Sequence, residues 1–226
     1  MLKIYYDGVD IIEFIDQVDG VTTNTSFIYN AGITDYNQFI SESLTAASGK
    51  PVSFQVTSSD LNDIYEQSKF ISNQGGNVYI KIPIILPNGS FSTSVIASLS
   101  KEGVKVNATC VYTIDQLYSA YDALETSRDS IISLFAGGLN DCKGSVSQLF
   151  NKAVELKQNA TSKQILYAGC QSLRCIHDAQ DYKADIITVP GSVLNKLDRV
   201  DKTARESSIL KSATFFEYGS HINFTY

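Results

Sequence analysis

The 226-residue chain contains no run approaching the roughly 18 consecutive apolar residues expected of a membrane-spanning helix. Its first residues, MLKIYYDGVD, lack the basic start and apolar stretch of a secretory signal, so a cytoplasmic protein with no membrane partner is expected. Net charge is −6 and the lysines and arginines are scattered singly, so the basic stripe of a nucleic-acid binder is missing. Only two histidines occur, His177 and His221, and both lie away from any expected strand end, which leaves a histidine-based triad unsupported. The four cysteines, Cys110, Cys142, Cys170 and Cys175, are separated by 32, 28 and 5 residues and match no zinc pattern. They are expected to be small buried apolar residues, with no metal and no cofactor. Five N-x-S/T triplets, at Asn24, Asn88, Asn107, Asn159 and Asn223, are ascribed to the abundance of asparagine, serine and threonine.

What is present is an alternation. Short β-branched runs are separated by stretches of helical period, the pattern of βα units around a parallel sheet. Strands are expected at Lys3–Asp7, Gly20–Thr23, Val52–Val56, Val78–Pro83, Val104–Cys110, Ile131–Ala136, Ile165–Ala168 and Ile186–Val189. Several are nearly continuous apolar runs, as strands covered on both faces require. Helices are expected near 34–47, 59–73, 90–101, 114–125, 145–158, 171–182 and 191–199. In the second of these, Leu61, Ile64, Tyr65 and Ser68 share a face away from Asp63, Glu66 and Lys69.

The strand starts lie about 26 residues apart, enough for a strand, a loop and one helix. Eight such units predict a single (β/α)8 TIM barrel over residues 1–226. A doubly wound open sheet is the alternative, but Asp7-Gly8-Val9-Asp10 offers no glycine-rich phosphate loop after the first strand. Residues 200–226 add a C-terminal helix and tail, with Ala204, Ile209, Ala213, Phe215 and Phe216 on a helix that either closes the barrel mouth or crosses to a neighbouring subunit.

Catalytic groups of such barrels sit at the C-terminal strand ends. Here those ends carry Asp7, Thr22, Thr23, Asn24, Gln55, Lys81, Asn107, Thr109 and Ser133. Lys81 stands out because it interrupts the apolar run Val78-Tyr-Ile-Lys-Ile-Pro83. Burial disfavours a charged amine, and a neutral amine can condense with a ketone. The plainer alternative is a lysine that snorkels to solvent or pairs with Asp7. Asp7 is suited to proton relay beside an amine, or to a turn or helix cap. Thr109 and Gln55 can orient a water without titrating themselves, or serve as structural residues.

Taken together, Tyr6-Asp7, Gly20-Val-Thr-Thr-Asn24, Phe54-Gln-Val56, Tyr79-Ile-Lys-Ile-Pro83, Val106-Asn-Ala-Thr109 and Ser133-Leu-Phe-Ala-Gly137 resemble the small transaldolase and fructose-6-phosphate aldolase family, in order along nearly the whole chain. The resemblance implies a metal-free class I mechanism. Lys81 forms an imine with a ketose donor, a dihydroxyacetone unit is cleaved off, and an aldehyde acceptor takes it up in the transferase reaction. Asp7 matches the family's acid/base, Asn24 a donor-hydroxyl ligand beside Thr22 and Thr23, and Thr109 with Gln55 the water-positioning pair. Asn107, Ser133 and Phe135 match further positions of the substrate site. Gln55 resembles the free-aldolase choice and Phe135 the transferase choice, so the subtype stays open. The resemblance also implies a homo-oligomer.

The phosphate-binding positions depart from the family pattern. Where relatives carry an arginine after the sixth strand, and a serine and a cation after the seventh, this chain has Gly138, Gly169 and Gln171. Arg174 and Lys143 are the candidate replacements. An unphosphorylated or differently substituted acceptor is therefore expected, and a catalytically silent barrel that binds a sugar or a protein partner is the alternative function.

Overall fold

The computed structural model describes residues 1–125, 129–158 and 162–223; the N-x-S/T triplet at Asn159 lies outside them. Eight strands pair edge to edge, each parallel to the next, and the last returns to the first: β1 (Lys3–Asp7), β2 (Gly20–Thr22), β3 (Val52–Gln55), β4 (Val78–Pro83), β5 (Val106–Val111), β6 (Ser130–Leu134), β7 (Lys163–Tyr167) and β8 (Ile186–Pro190). The expected TIM barrel is the observed one.

Helices α1 (Ile11–Phe14), α2 (Thr25–Asn30), α3 (Tyr36–Ala47), α4 (Leu61–Ser72), α5 (Thr93–Lys101), α6 (Ile114–Ala123), α7 (Ala136–Asn140), α8 (Val146–Lys157), α9 (Arg174–Asp181) and α10 (Gly191–Leu194) fill the crossovers, and α11 (Ala204–Gly219) follows the barrel. The longer ones start where side chains satisfy free backbone N–H groups. Asp35 caps α3, Asp60 caps α4, and Thr113 with Gln116 forms a reciprocal capping box on α6. Three short helices, α1, α2 and α7, fall in stretches expected to be loop or strand end. The helix expected over 191–199 is instead α10 plus a 3-10 turn at Leu197–Arg199.

Period-two alternation divides each strand between two cores. Outward residues such as Val52, Phe54, Ile80, Ile82, Val106, Ala108, Ile132 and Val189 join the helices in the main hydrophobic core. Each valine, isoleucine or phenylalanine among them contributes roughly 1.5–3 kcal/mol by leaving water. Inward residues Tyr5, Tyr79, Ile131, Leu166 and Ile186 form a second cluster that plugs the floor of the barrel. Two residues further along most of these strands the inward side chain turns polar, and the barrel acquires a functional layer above its apolar floor.

Strand β5 breaks the alternation. Ala108 pairs with Ile132, but Val111 is the next to pair, with Leu134, so one extra residue is accommodated between them. Cys110 takes the left-handed conformation at φ 59°, which for a residue bearing a Cβ requires support from the surrounding barrel. The bulge returns Val111 to the outer core and carries the strand one residue past its expected end at Cys110.

Helix α11 does not close the mouth: none of its residues is buried, and Ile209, Leu210, Phe215, Phe216 and Tyr218 are exposed. Among the described residues, no helix is long and apolar enough to cross a membrane.

Candidate active site

The polar layer at the mouth is assembled from at least six strands. On β1, Asp7 Oδ1 accepts a hydrogen bond of 2.8 Å from Thr22 Oγ1 on β2, and the Thr22 hydroxyl also meets that of Thr188 on β8. Asp7 therefore does not cap α1, whose cap residue is Asp10. On β3 and β5, Asn107 Nδ2 donates to Ser53 Oγ at 3.1 Å. From β6, Ser133 Oγ donates to Asn107 Oδ1 at 2.7 Å. Both ends of a fully buried amide are thus satisfied, which pins its orientation.

Lys81 lies inside this ring. Its side chain is buried, with 5% of the residue exposed, so it does not snorkel. Its Nζ donates to the carbonyl oxygen of Thr23 at 3.0 Å, and among the described residues no carboxylate forms an ion pair with it. Register explains the position: Lys81 pairs with Gln55 on one side and Asn107 on the other, and so shares their height in the barrel. Burial pushes the Asp7 carboxyl above the ordinary carboxylate range, although the charge of Lys81 and the Thr22 hydrogen bond both act against that rise. Burial likewise pushes up the Cys110 thiol, again opposed by Lys81 and by the neighbouring Thr109 side chain. The amine is therefore felt at both β1 and β5.

Thr109 is fully buried, and among the described residues its Oγ1 has no hydrogen-bond partner. A buried hydroxyl in that condition is suited to hold a small polar molecule in the mouth. The other water-positioning candidate, Gln55, lies on β3, separated from Thr109 by β4: its Nε2 donates to Thr25 Oγ1 at 3.3 Å, and its backbone carbonyl accepts from the Tyr36 hydroxyl. Asn24 caps α2 through Oδ1, which accepts from Phe27 N at 2.9 Å, leaving its amide nitrogen directed by that cap. Thr23 is tied to Ser53 O through its hydroxyl.

Beyond β6 and β7 the rim is built from backbone. Gly137 N donates to Ala168 O at 3.2 Å, and a Cβ on Gly137 would stand 2.0 Å from Gly169 O. A Cβ on Gly138 would stand 2.3 Å from Tyr112 Oη. Gln171 is exposed, and Arg174 is bound to Asp178 at 2.7 Å on the outside of α9. Lys143 is exposed in the turn after α7.

The cysteines depart from expectation in two places. Cys170 and Cys175 are buried, but Cys142 is exposed and Cys110 is only half-buried, because the bulge takes it out of the outer core. Cys175 is drawn down to about 5, chiefly by a hydrogen bond with the Cys170 thiol. Of the histidines, His177 hydrogen-bonds Val200 O from α9, and His221 lies beyond α11; neither reaches the mouth. Asn107 is fully buried, so its N-x-S/T triplet is inaccessible. Among the described residues, no group of three or more His, Cys, Asp or Glu could hold a metal ion.

Sequence reading missed Ser53, Thr188, Thr25 and Tyr112. The first two carried a signal, since Ser53 shares the inward parity of Gln55 and Thr188 that of Ile186. Tyr112 carried none, because its orientation follows from the bulge. A groove of about 650 Å³ beside α1 and α3 is lined by residues such as Ile12, Ile33 and Phe39 and lies away from this chemistry.

Comparison with known proteins agrees with the geometry. A probable transaldolase of Bartonella tribocorum is 29% identical over 202 residues, covering 87% of this chain and 88% of the relative. One from Thermoplasma volcanium is 31% identical over 211 residues, covering 89% and 90%. Among solved structures, a 3-hexulose-6-phosphate synthase superposes with a TM-score of 0.61 at 14% identity, covering 88% of this chain and 95% of that one, a likeness of fold alone. The family model described as transaldolase/fructose-6-phosphate aldolase matches residues 4–223, and the chain belongs to that family.

Proposed function

We propose that the protein is a Schiff-base enzyme that cleaves or transfers a dihydroxyacetone unit, with Lys81 as nucleophile. The observation that carries this reading is a buried amine that donates to a backbone carbonyl and, among the described residues, to no other group, set in a ring of polar strand ends. The amine adds to the ketose carbonyl, and loss of water gives the iminium. Asp7, with its raised affinity for a proton, donates to the departing hydroxyl and withdraws the proton from the substrate hydroxyl as the carbon–carbon bond breaks. The enamine left on Lys81 then attacks an acceptor aldehyde, or is protonated and hydrolysed by water held at Thr109 and Gln55. Asn24, Asn107 and Ser133 bind the donor hydroxyls beside Thr22 and Thr23.

Gln55 and Phe135 pull toward free aldolase and transferase respectively, so both outcomes belong to the proposal. The acceptor is unphosphorylated: Gly138, Gly169 and Gln171 offer no cation or hydroxyl side chain where the family clamps phosphate, and charged hydrogen bonds contribute roughly 1.5–3 kcal/mol each. The exposed apolar side chains of α11 support a homo-oligomer, with that helix covered by a second copy. A silent binding barrel is not favoured, because binding alone has no chemical use for the buried amine.

Incubation with fructose or dihydroxyacetone followed by borohydride tests the mechanism. The expected result is a stable mass adduct mapped to Lys81. Its absence across ketoses and their phosphates would remove Lys81 from the chemistry. Turnover of D-glyceraldehyde against its 3-phosphate tests the acceptor, and a clear preference for the phosphate would refute that part.

A further inference from the structure

The wall of the mouth formed by β5 and β6 is aromatic where a cation would be needed to hold an anion. Tyr112, the residue after β5, stacks on Phe135, the residue after β6, with ring centroids 5.4 Å apart and planes 30° from parallel. Both residues are half-buried, Phe135 against the inner cluster and Tyr112 against the edge of the outer core beside it. The β5 bulge returns Val111 to the outer core, and Tyr112 follows it at the rim, where its stack on Phe135 joins it to the inner side. Tyr112 also fills the space beside Gly138, where its Oη stands 2.3 Å from the position of a Cβ. A longer side chain at 138 has no room unless the tyrosine moves.

The charged surroundings point the same way. The ionisable groups acting on Tyr112 are Cys110, Cys142 and Asp141, none of them a cation. The nearest basic replacement after β7, Arg174, is occupied by Asp178. Among the described residues Tyr112 Oη has no hydrogen-bond partner, which leaves a donor at the edge of the aromatic surface. An aromatic face beside a polar layer suits a neutral molecule with C–H groups on one side and hydroxyls on the other.

We infer that Tyr112, stacked on Phe135 and filling the space beside Gly138, is a specificity-determining residue that receives the C–H face of an uncharged acceptor aldehyde. This rests on the proposed aldol chemistry for the name acceptor, but the surface itself is testable without turnover.

The experiment uses the full chain as wild type, Tyr112→Phe, Tyr112→Leu and Tyr112→Ala. Acceptor KM is measured with D-glyceraldehyde, borohydride trapping on Lys81 reports the donor half, and saturation-transfer NMR reads binding of erythritol against erythritol 4-phosphate. Tyr112→Ala and Tyr112→Leu are expected to raise the acceptor KM about tenfold and to abolish saturation transfer to erythritol, with trapping on Lys81 unchanged. Tyr112→Phe is expected to keep KM within about threefold of wild type, since the ring survives. Should Tyr112→Ala fail to fold, Tyr112→Leu carries the comparison. Unchanged KM and unchanged erythritol binding in the ring-less variants overturn the inference, as does stronger binding of the phosphate to the wild type. A wild type that binds erythritol through Tyr112 but gives no Lys81 adduct refutes the aldol mechanism and leaves the neutral-ligand surface standing.

Discussion

Asp7 and Lys81 share a buried site, and that sharing has a measurable size. Among the described residues the two do not meet as an ion pair within about 4 Å, and unit charges at that separation with an effective dielectric near 20 interact by roughly 4 kcal/mol, an upper figure for their coupling. Burial outweighs both Lys81 and Thr22 in setting the Asp7 proton affinity, so its folded-state pKa lies above the unfolded one. Its contribution to stability is therefore present below the ordinary carboxylate pKa and is lost as pH rises through the higher folded value. Asp7→Asn removes that loss and is expected to be more stable than wild type at pH 7, though inactive. Lys81→Met takes away the charge that holds the Asp7 pKa down, so the loss extends to higher pH. Urea denaturation of wild type, both single variants and the double variant at pH 7 and matched concentration gives the coupling directly. The expected value is about 1–3 kcal/mol, below the upper figure because Asp7 can take up a proton once Lys81 is gone. A coupling under about 0.5 kcal/mol, or an Asp7→Asn protein less stable than wild type at pH 7, would refute the reading of one electrostatic site.

Gly137→Ala places a methyl 2.0 Å from Gly169 O, a backbone atom with little freedom, and is expected to cost about 1–3 kcal/mol, or a Tm lower by roughly 2–12 °C. An unchanged melting curve would mean that the β6–β7 rim can separate. Ser133→Ala leaves Asn107 Oδ1 without its donor in a buried layer and should cost about 1–3 kcal/mol by urea denaturation, with a weaker donor KM; no change in either would place Asn107 outside the donor site. Removal of residues 204–226 should leave the far-UV CD of the barrel intact while lowering the mass seen by light scattering, and an unchanged mass would show that α11 plays no part in assembly.

The barrel was legible because its information is local. Val78–Pro83 reads as a buried strand from its apolar run, and the regular return of such runs counts the units; β1 and β4 have their expected limits. Strand ends were less legible where glycine and bulge geometry intervene. Ala136 extends the apolar run of β6 but begins α7, and β5 runs to Val111 because one residue is accommodated without a partner. Lys81 was visible as an anomaly, a charge in an apolar run, yet the run was equally compatible with a snorkelling side chain. Closure of the barrel removes that option by surrounding the amine on every side.

By itself, then, the sequence determined which residues lie on strands, which strand ends are polar and which lysine is out of place, because alternation and period depend on neighbours in the chain. Only the tertiary structure decided that Thr188 meets Thr22, that Asn107 is held by Ser53 and Ser133, and that Tyr112 stands against Gly138. Those contacts depend on barrel closure and on a one-residue shift in register, and both arise from pairing between segments far apart in the chain.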